Sequence, residues 1–232
     1  MHRTLRTAGT VLVAAGVLVL VWAVVVWRWQ DPFTALYTHY EQRRLAGSLD
    51  RLFAEYHAPA ARGGLAAERR SLRRDAAVFR HEARRGQAIG RIEISRIGLD
   101  MVLVNGTDHD SLTRGPGRDL RSFMPGEDRL VYIAGHRTTY LAPFSHIDAI
   151  RPGDAIRLEL PYGTFVYRAT GHRIVAATDL SVLRSPKHEL LELQACHPRF
   201  FATQRYIVSA RLVRVEPRGA PPYSLAAAAV AP

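Results

Sequence analysis

Apolar positions fall into three regimes along the 232-residue chain. The first is continuous. Ala8 to Trp27 runs for 20 residues without a charge, enough helix at about 1.5 Å per residue to cross a hydrocarbon core of roughly 30 Å. Arg3 and Arg6 precede it, and Trp22, Trp27 and Trp29 cluster at its far end, as interfacial anchors do. A cleavable signal peptide has a shorter apolar core and a small-x-small site, and the Val-Trp-Arg-Trp that ends this run is a poor cleavage site. The pattern predicts an uncleaved signal anchor within residues 1–29. The amino terminus would be cytoplasmic and the rest of the chain extracytoplasmic, on a single-pass protein of the cell membrane.

The second regime has helical spacing. Phe33, Leu36, Tyr37, Tyr40, Leu45, Leu49, Leu52, Phe53 and Tyr56 recur at intervals of three and four. Ala58-Pro59 and Gly63-Gly64 break the pattern, and Leu65 to Arg85 is again helix-compatible. Residues 30–88 read as a helical stalk or linker. The alternative is an arm that lies on anionic headgroups or covers the domain that follows.

From Ile89 the period changes to that of strands. Strand-like pieces occur at Gly90–Ser95, Asp100–Asn105, Arg129–Ala134, Ala155–Leu160, Thr164–Ala177, Leu190–Ala195 and Arg205–Val215. Turn residues separate them, among them Gly115-Pro116-Gly117 and Arg151-Pro152-Gly153-Asp154. Asp108–Thr113 reads as one helical turn capped by Asp108 or Asp110. Seven or eight short strands without a long helix predict an all-β sandwich or barrel over residues 89–216. Residues 217–232, rich in Ala and Pro, read as a disordered tail.

Charge changes this picture little. The 32 cationic and 21 acidic residues give +11, spread as +2 over residues 1–27, +5 (12 minus 7) over 28–88 and +4 (18 minus 14) over the remainder. A nucleic-acid binder would concentrate charge on the folded domain with aromatics for stacking, so no nucleic-acid partner is expected. The densest run, Arg69 to Arg85, precedes the β domain. One cysteine excludes a disulfide framework and a multi-cysteine zinc site. His136 and His146 lack metal-ligand spacing and no acidic cluster suggests calcium, so neither a metal nor a cofactor is expected.

The single cysteine, Cys196, is therefore either an inert buried residue or a reactive one. The polar, turn-forming His197-Pro198-Arg199 that follows sets it at a strand end. A reactive thiol needs a proton partner and positive charge for an oxyanion. His136 ends the strand Leu130 to Gly135 and opens the polar turn Arg137-Thr138-Thr139-Tyr140; Arg205 opens the strand after Cys196. Alone, the first reads as a satisfied surface histidine and the second as an edge-strand charge.

Together these pieces resemble the sortase family, and specifically its class E members from high-GC Gram-positive bacteria. The residues that carry the resemblance are Gly135-His136-Arg137-Thr138-Thr139-Tyr140, Ala142-Pro143-Phe144, Cys196-His197-Pro198-Arg199-Phe200 and Gln204-Arg205, in the family's order of His, Cys and Arg. The resemblance implies an eight-stranded sortase-type β-barrel and a cysteine transpeptidase. Cys196 would be its nucleophile, His136 its general acid/base and Arg205 its oxyanion stabiliser. It implies as substrate a secreted protein with a carboxy-terminal Leu-Ala-x-Thr-Gly-like sorting signal, cleaved between Thr and Gly, and as acceptor an amine of a peptidoglycan precursor. Thr178–His188 corresponds to the loop that walls the signal groove. Leu180, Val182 and Leu183 would supply its apolar pocket, with Tyr140 and Ala195 also expected at the substrate.

The family's cysteine strand usually reads Thr-Leu-x-Thr-Cys, whereas this one reads Glu192-Leu193-Gln194-Ala195-Cys196. Ala195 is expected to remove a hydroxyl from the substrate side, and Glu192 to bring in a carboxylate where a neutral residue is usual. Two other readings compete. An L,D-transpeptidase acting on peptidoglycan stem peptides would carry glycine just before the thiol, where Ala195 stands. A non-catalytic anchored binding module is suggested by Ala195 and Glu192 themselves.

Overall fold

The computed structural model describes residues 2–29, 32–57 and 64–225. The helix α1 (His2–Trp29) contains the apolar stretch Arg3–Val25, long and apolar enough to cross a membrane and with none of it buried against the protein. Two further helices follow, α2 (Pro32–Glu55) and α3 (Gly64–Glu82). The expected break at Ala58-Pro59 lies outside the described residues, as do residues 226–232 of the expected tail.

The β domain comprises β1 (Ala88–Ile94), β2 (Leu99–Asn105), β3 (Gly117–Arg118), β4 (Leu130–Ala134), β5 (Ala155–Leu160), β6 (Gly163–Ala176), β7 (Leu190–His197), β8 (Gln204–Pro217) and β9 (Tyr223–Ser224). A one-turn helix α4 (His109–Leu112) lies between β2 and β3. Of the two caps the sequence allowed, Asp108 is the one used, accepting from the Ser111 amide at 3.2 Å. The strand order is β6-β5-β1-β2-β3-β4-β7-β8, and β8 pairs back onto β6, so eight strands close a barrel, with no open edge between the first and last. The ninth strand hangs on β8, with Val215 opposite Tyr223; this part of the expected tail is therefore ordered.

Period-two alternation fills the barrel. Ile92, Val131, Ile133, Phe165, Leu191, Leu193 and Val208 point inward and are buried. Two strands are apolar on both faces because both are covered. On β2, Val102 and Val104 lie under Leu45 and Leu49 of α2. On β4, Leu130 and Tyr132 lie under Val182, in the 3-10 turn Leu180–Leu183. The pre-barrel helices are thus packed on the barrel; they are not a stalk standing clear of it. Gln42 of α2 makes strand-like bonds to both backbone groups of Val102 and to the Arg114 carbonyl. Leu72 and Ala76 of α3 enter the main core.

The strand β3 falls in a stretch whose composition reads as a turn. A side chain at Gly117 would sit 1.9 Å from the Gly106 carbonyl, so only glycine allows β3 to lie parallel to β2. Next to it, buried Arg118 donates to the Asn105 side-chain oxygen at 2.7 and 3.0 Å and to the Ser122 carbonyl. Burial lowers its pKa to about 10.

Candidate active site

Strand register pairs Cys196 with Arg205 and ends two residues short of His136. On parallel strands β4 and β7, Ala134 lies opposite Gln194, and the Gly135 amide donates to the Gln194 carbonyl at 3.0 Å. His136 follows two residues after Ala134, just beyond the end of β4, as Cys196 follows two residues after Gln194. On antiparallel β7 and β8, Cys196 lies directly opposite Arg205, a position where Cβ atoms stand about 5 Å apart. Leu191, Leu193 and Ala195 point into the barrel, so Glu192, Gln194 and Cys196 point out, as does Arg205 beside inward Tyr206. Cys196 is a free, partly exposed thiol.

The His136 turn is held by its own contacts. The Phe144 amide donates to the His136 carbonyl at 3.0 Å. The Phe144 ring packs so closely that a side chain at Gly135 would meet it at 2.7 Å. Tyr140, Leu141 and Ala142 all adopt positive φ, which turns the chain sharply. The imidazole of His136 lies 5.0 Å from the Tyr140 ring, and Tyr140 in turn meets His109 edge-on at 6.2 Å. Burial, and secondarily the charge of His109, hold His136 below the ordinary imidazole pKa. Its Nε2 is buried without a hydrogen-bond partner among the described residues.

The guanidinium of Arg205 is oriented by the β7–β8 turn. Its Nη1 donates to the carbonyls of Ala202 and Gln204 at 2.8 and 2.9 Å. Both contacts use one nitrogen, so among the described residues the other donors of the fork make no hydrogen bond.

Arg137 has a part that its place in the His136 motif did not reveal. It is buried, and its Nη1 reaches the Cys196 carbonyl at 3.3 Å and His197 Nδ1 at 3.1 Å. Its Nη2 pairs with Asp148 at 3.0 Å, and the guanidinium lies 5.7 Å over the Tyr206 ring. Arg137 therefore ties the His136 turn to the cysteine end of β7. The only signal in the sequence is adjacency to His136, which says nothing of the direction in which the side chain points.

The expected substrate residues divide. Ala195 does not face the groove: it is buried in the barrel interior, because odd-numbered positions of β7 point inward. The hydroxyl missing there is missing from the core. Leu183 packs with Val182 on the apolar cluster of Leu130, Tyr132 and Ile207 beside the groove, but Leu180 is 66% exposed and outside that cluster. Tyr140 stands beside His136, its ring tilted against the imidazole.

Glu192 does lie on the outer face of β7, two outward positions from Cys196, and it is matched. Arg173 of β6 holds its buried carboxylate with two bonds of 2.7 and 2.9 Å, and Ser209 donates to it at 3.3 Å. Between Glu192 and Cys196, Gln194 accepts from the Tyr132 hydroxyl at 2.7 Å. A cavity of about 620 Å³ lined by Arg69, Arg129, Lys187 and Glu189 belongs to the opposite end of β7 and takes no part in this site.

Comparison with known proteins follows the same boundaries. Residues 92–213 match the sortase domain. Sortase D of Bacillus subtilis is 36% identical over 133 residues, which cover 55% of this chain and 65% of that protein. Among solved structures, Sortase E1 of Streptomyces coelicolor with a tripeptide in its active site superposes with a TM-score of 0.54 at 26% identity, covering 59% of this chain and 95% of that one. The Sortase D5 transpeptidase of Clostridium perfringens shares the fold, with a TM-score of 0.61 at 23% identity over 75% and 99% of the two chains. Relatives of both D and E type thus stand beside it. Since the domain pattern runs from β1 into β8 and takes in β4, β7 and the start of β8, which carry or flank the three candidates, the chain belongs to the sortase family.

Proposed function

We propose that the protein is a membrane-anchored cysteine transpeptidase. In this reading it cleaves a Leu-Ala-x-Thr-Gly-like sorting signal between Thr and Gly and joins the secreted protein to a peptidoglycan amine. The observation that supports the reading is the cross-strand pair of Cys196 and Arg205, with His136 following two residues after the last β4–β7 pair at the same end of the barrel. Family membership adds the reaction class.

The steps follow from the groups. The Cys196 thiol passes its proton to the neutral imidazole of His136 as sulfur attacks the threonine carbonyl carbon. The oxyanion that forms takes hydrogen bonds from the open donors of Arg205. On collapse the C–N bond breaks, and the leaving glycine amine receives the proton from His136, leaving a thioester. The acceptor amine then attacks that thioester and gives its proton to His136. The thiolate departs and is reprotonated by the same imidazole. Arg137 is a positioning residue in this scheme, holding the two strand ends in register. The apolar cluster with Val182 and Leu183 walls the groove for the signal's leucine, and α1 anchors the enzyme in the leaflet that holds the substrate's own tail.

The test uses the full chain in detergent with a Leu-Ala-x-Thr-Gly peptide and a glycine amine, read by mass spectrometry. A thioacyl adduct on Cys196 and a transpeptidation product are expected, with neither in Cys196→Ala. Undiminished product from Cys196→Ala would sink the proposal.

A further inference from the structure

The helix α2 keeps one apolar stripe away from the barrel. Its barrel-facing positions are Thr38, Glu41, Leu45 and Leu49, all buried. Phe33, Leu36, Tyr37 and Tyr40 follow the i, i+3, i+4, i+7 pattern of a single helix face, and all four are exposed, Phe33 by 73% and Leu36 by 71%. This stripe occupies only the first turns of α2, immediately after α1.

The same end of the molecule carries the active-site turns. The Tyr140 amide donates to Thr34 Oγ1 at 3.1 Å, so the turn that follows His136 touches the first turn of α2. At the other end of α2 the Phe53 carbonyl accepts from Arg218, just past the far end of β8. Consequently α2 runs the length of the barrel, with its start at the Cys196 end. Only residues 30 and 31 separate α2 from α1, a gap that extended chain spans in about 10 Å. At that end the turn between β7 and β8 projects Phe200 and Phe201, exposed by 55% and 77%. The Arg199 guanidinium lies 5.7 Å over the Phe200 ring. Consecutive exposed phenylalanines flanked by arginine are poorly suited to bulk water, and they suit the boundary between headgroups and acyl chains.

We propose that the active-site end of the barrel rests on the bilayer, with the Phe33-Leu36-Tyr37-Tyr40 stripe of α2 and Phe200-Phe201 of the β7–β8 turn seated in its interfacial layer. This rests on the reading of α1 as a membrane span and deepens it: the span anchors the chain, and these two apolar elements orient the barrel. The partner is the lipid surface, favoured over a second copy of the chain by the short tether, which keeps both elements beside the point where α1 leaves the membrane. Arg199, over the Phe200 ring at the same turn, suits anionic headgroups. The groove then opens at the depth where a substrate held by its own apolar tail leaves the bilayer.

The experiment uses the full chain carrying Cys196→Ala, with a single added cysteine at Leu36→Cys, Phe201→Cys or, as a control at the far end, Lys187→Cys. Each is labelled with nitrobenzoxadiazole and reconstituted in vesicles of equal parts phosphatidylglycerol and phosphatidylcholine. Labels at 36 and 201 are expected to emit at shorter wavelength than the label at 187. They should lose most of their intensity to lipids spin-labelled at the headgroup, to which 187 does not respond. Flotation with the vesicles, measured on the same samples, separates the two layers of the argument. Chain that floats while 36 and 201 behave like 187 overturns the seating and leaves the span intact. Failure to float removes the span and the seating together. A blue shift at 36 and 201 without quenching by spin-labelled lipid means that protein covers them, which also overturns the proposal. None of these readouts depends on turnover.

Discussion

A histidine held below its ordinary pKa is neutral at pH 7, the form that can accept the thiol proton. For His136 the lowering comes from burial first and from His109 second. The acid limb of kcat/KM for a soluble signal peptide is therefore expected below the usual imidazole value of about 6.5. His109→Ala removes a neighbouring charge and should move that limb upward; a pH–rate profile with no movement would detach His109 from the site. Glu189 presents the opposite sign. Its buried carboxyl accepts from the Tyr167 hydroxyl and from the Gly126 and Asp128 amides, yet burial raises its pKa from 4.5 to about 7. A raised folded value stabilises most below the unfolded one. Urea titrations should show stability falling by a few kcal/mol as pH rises from about 4.5 through 7. Glu189→Gln, with no charge to bury, should flatten that slope while being less stable at low pH, because one amide oxygen replaces two acceptors.

At the scale of elements, pairs of strands hold what single strands cannot. The Glu192 carboxylate on β7 is buried and would be costly alone, but β6 brings Arg173 to it across β8. Removing one partner of a buried pair costs about 3–5 kcal/mol; with Arg173 partly exposed, Arg173→Ala should cost about 2–3 kcal/mol by denaturant unfolding. The double variant Arg173→Ala/Glu192→Ala should recover part of that loss. The pre-barrel helices behave in the same way. Leu45 and Leu49 close the outer face of β2, so Leu49→Ala should cost about 2–5 kcal/mol. A chain begun near Arg85 should be less stable again and prone to associate through bare Val102 and Val104. Equal unfolding midpoints with and without α2 would show that the helix merely rests on the barrel.

For the whole molecule, the proposed function raises the question of how an enzyme on a tether meets a substrate on a tether. In the proposed reading both are confined to one leaflet, which raises their effective concentration without adding contacts. Removing α1 by starting the chain at Pro32 should leave kcat/KM for a soluble peptide within a fewfold of the full chain. Turnover of a membrane-anchored substrate in vesicles should fall by about 10²-fold or more. Equal losses on both substrates would mean that α1 supports the fold and not the encounter.

Local pattern was enough for much of this. The uncharged run in α1, the three-and-four spacing of α2 and the alternation in β1, β5 and β7 are properties of consecutive residues, and so is the strand-end placement of Cys196. The motifs around His136, Cys196 and Arg205 carried the family. Period two could also have turned Ala195 inward, since Cys196 must face out, but a resemblance assigned by position in a motif carries no face. What remained was decided by contacts between residues distant in the sequence. Whether α2 stands clear or packs depends on Val102 and Val104, which read from the sequence only as an apolar strand. The two-residue β3 exists because its neighbours offer it a slot that only Gly117 fits. Arg137 acquires its role from the Cys196 carbonyl, and Glu192 its compensation from Arg173. Spacing along the chain records which face a residue is on; only strand register and helix docking determine what that face meets.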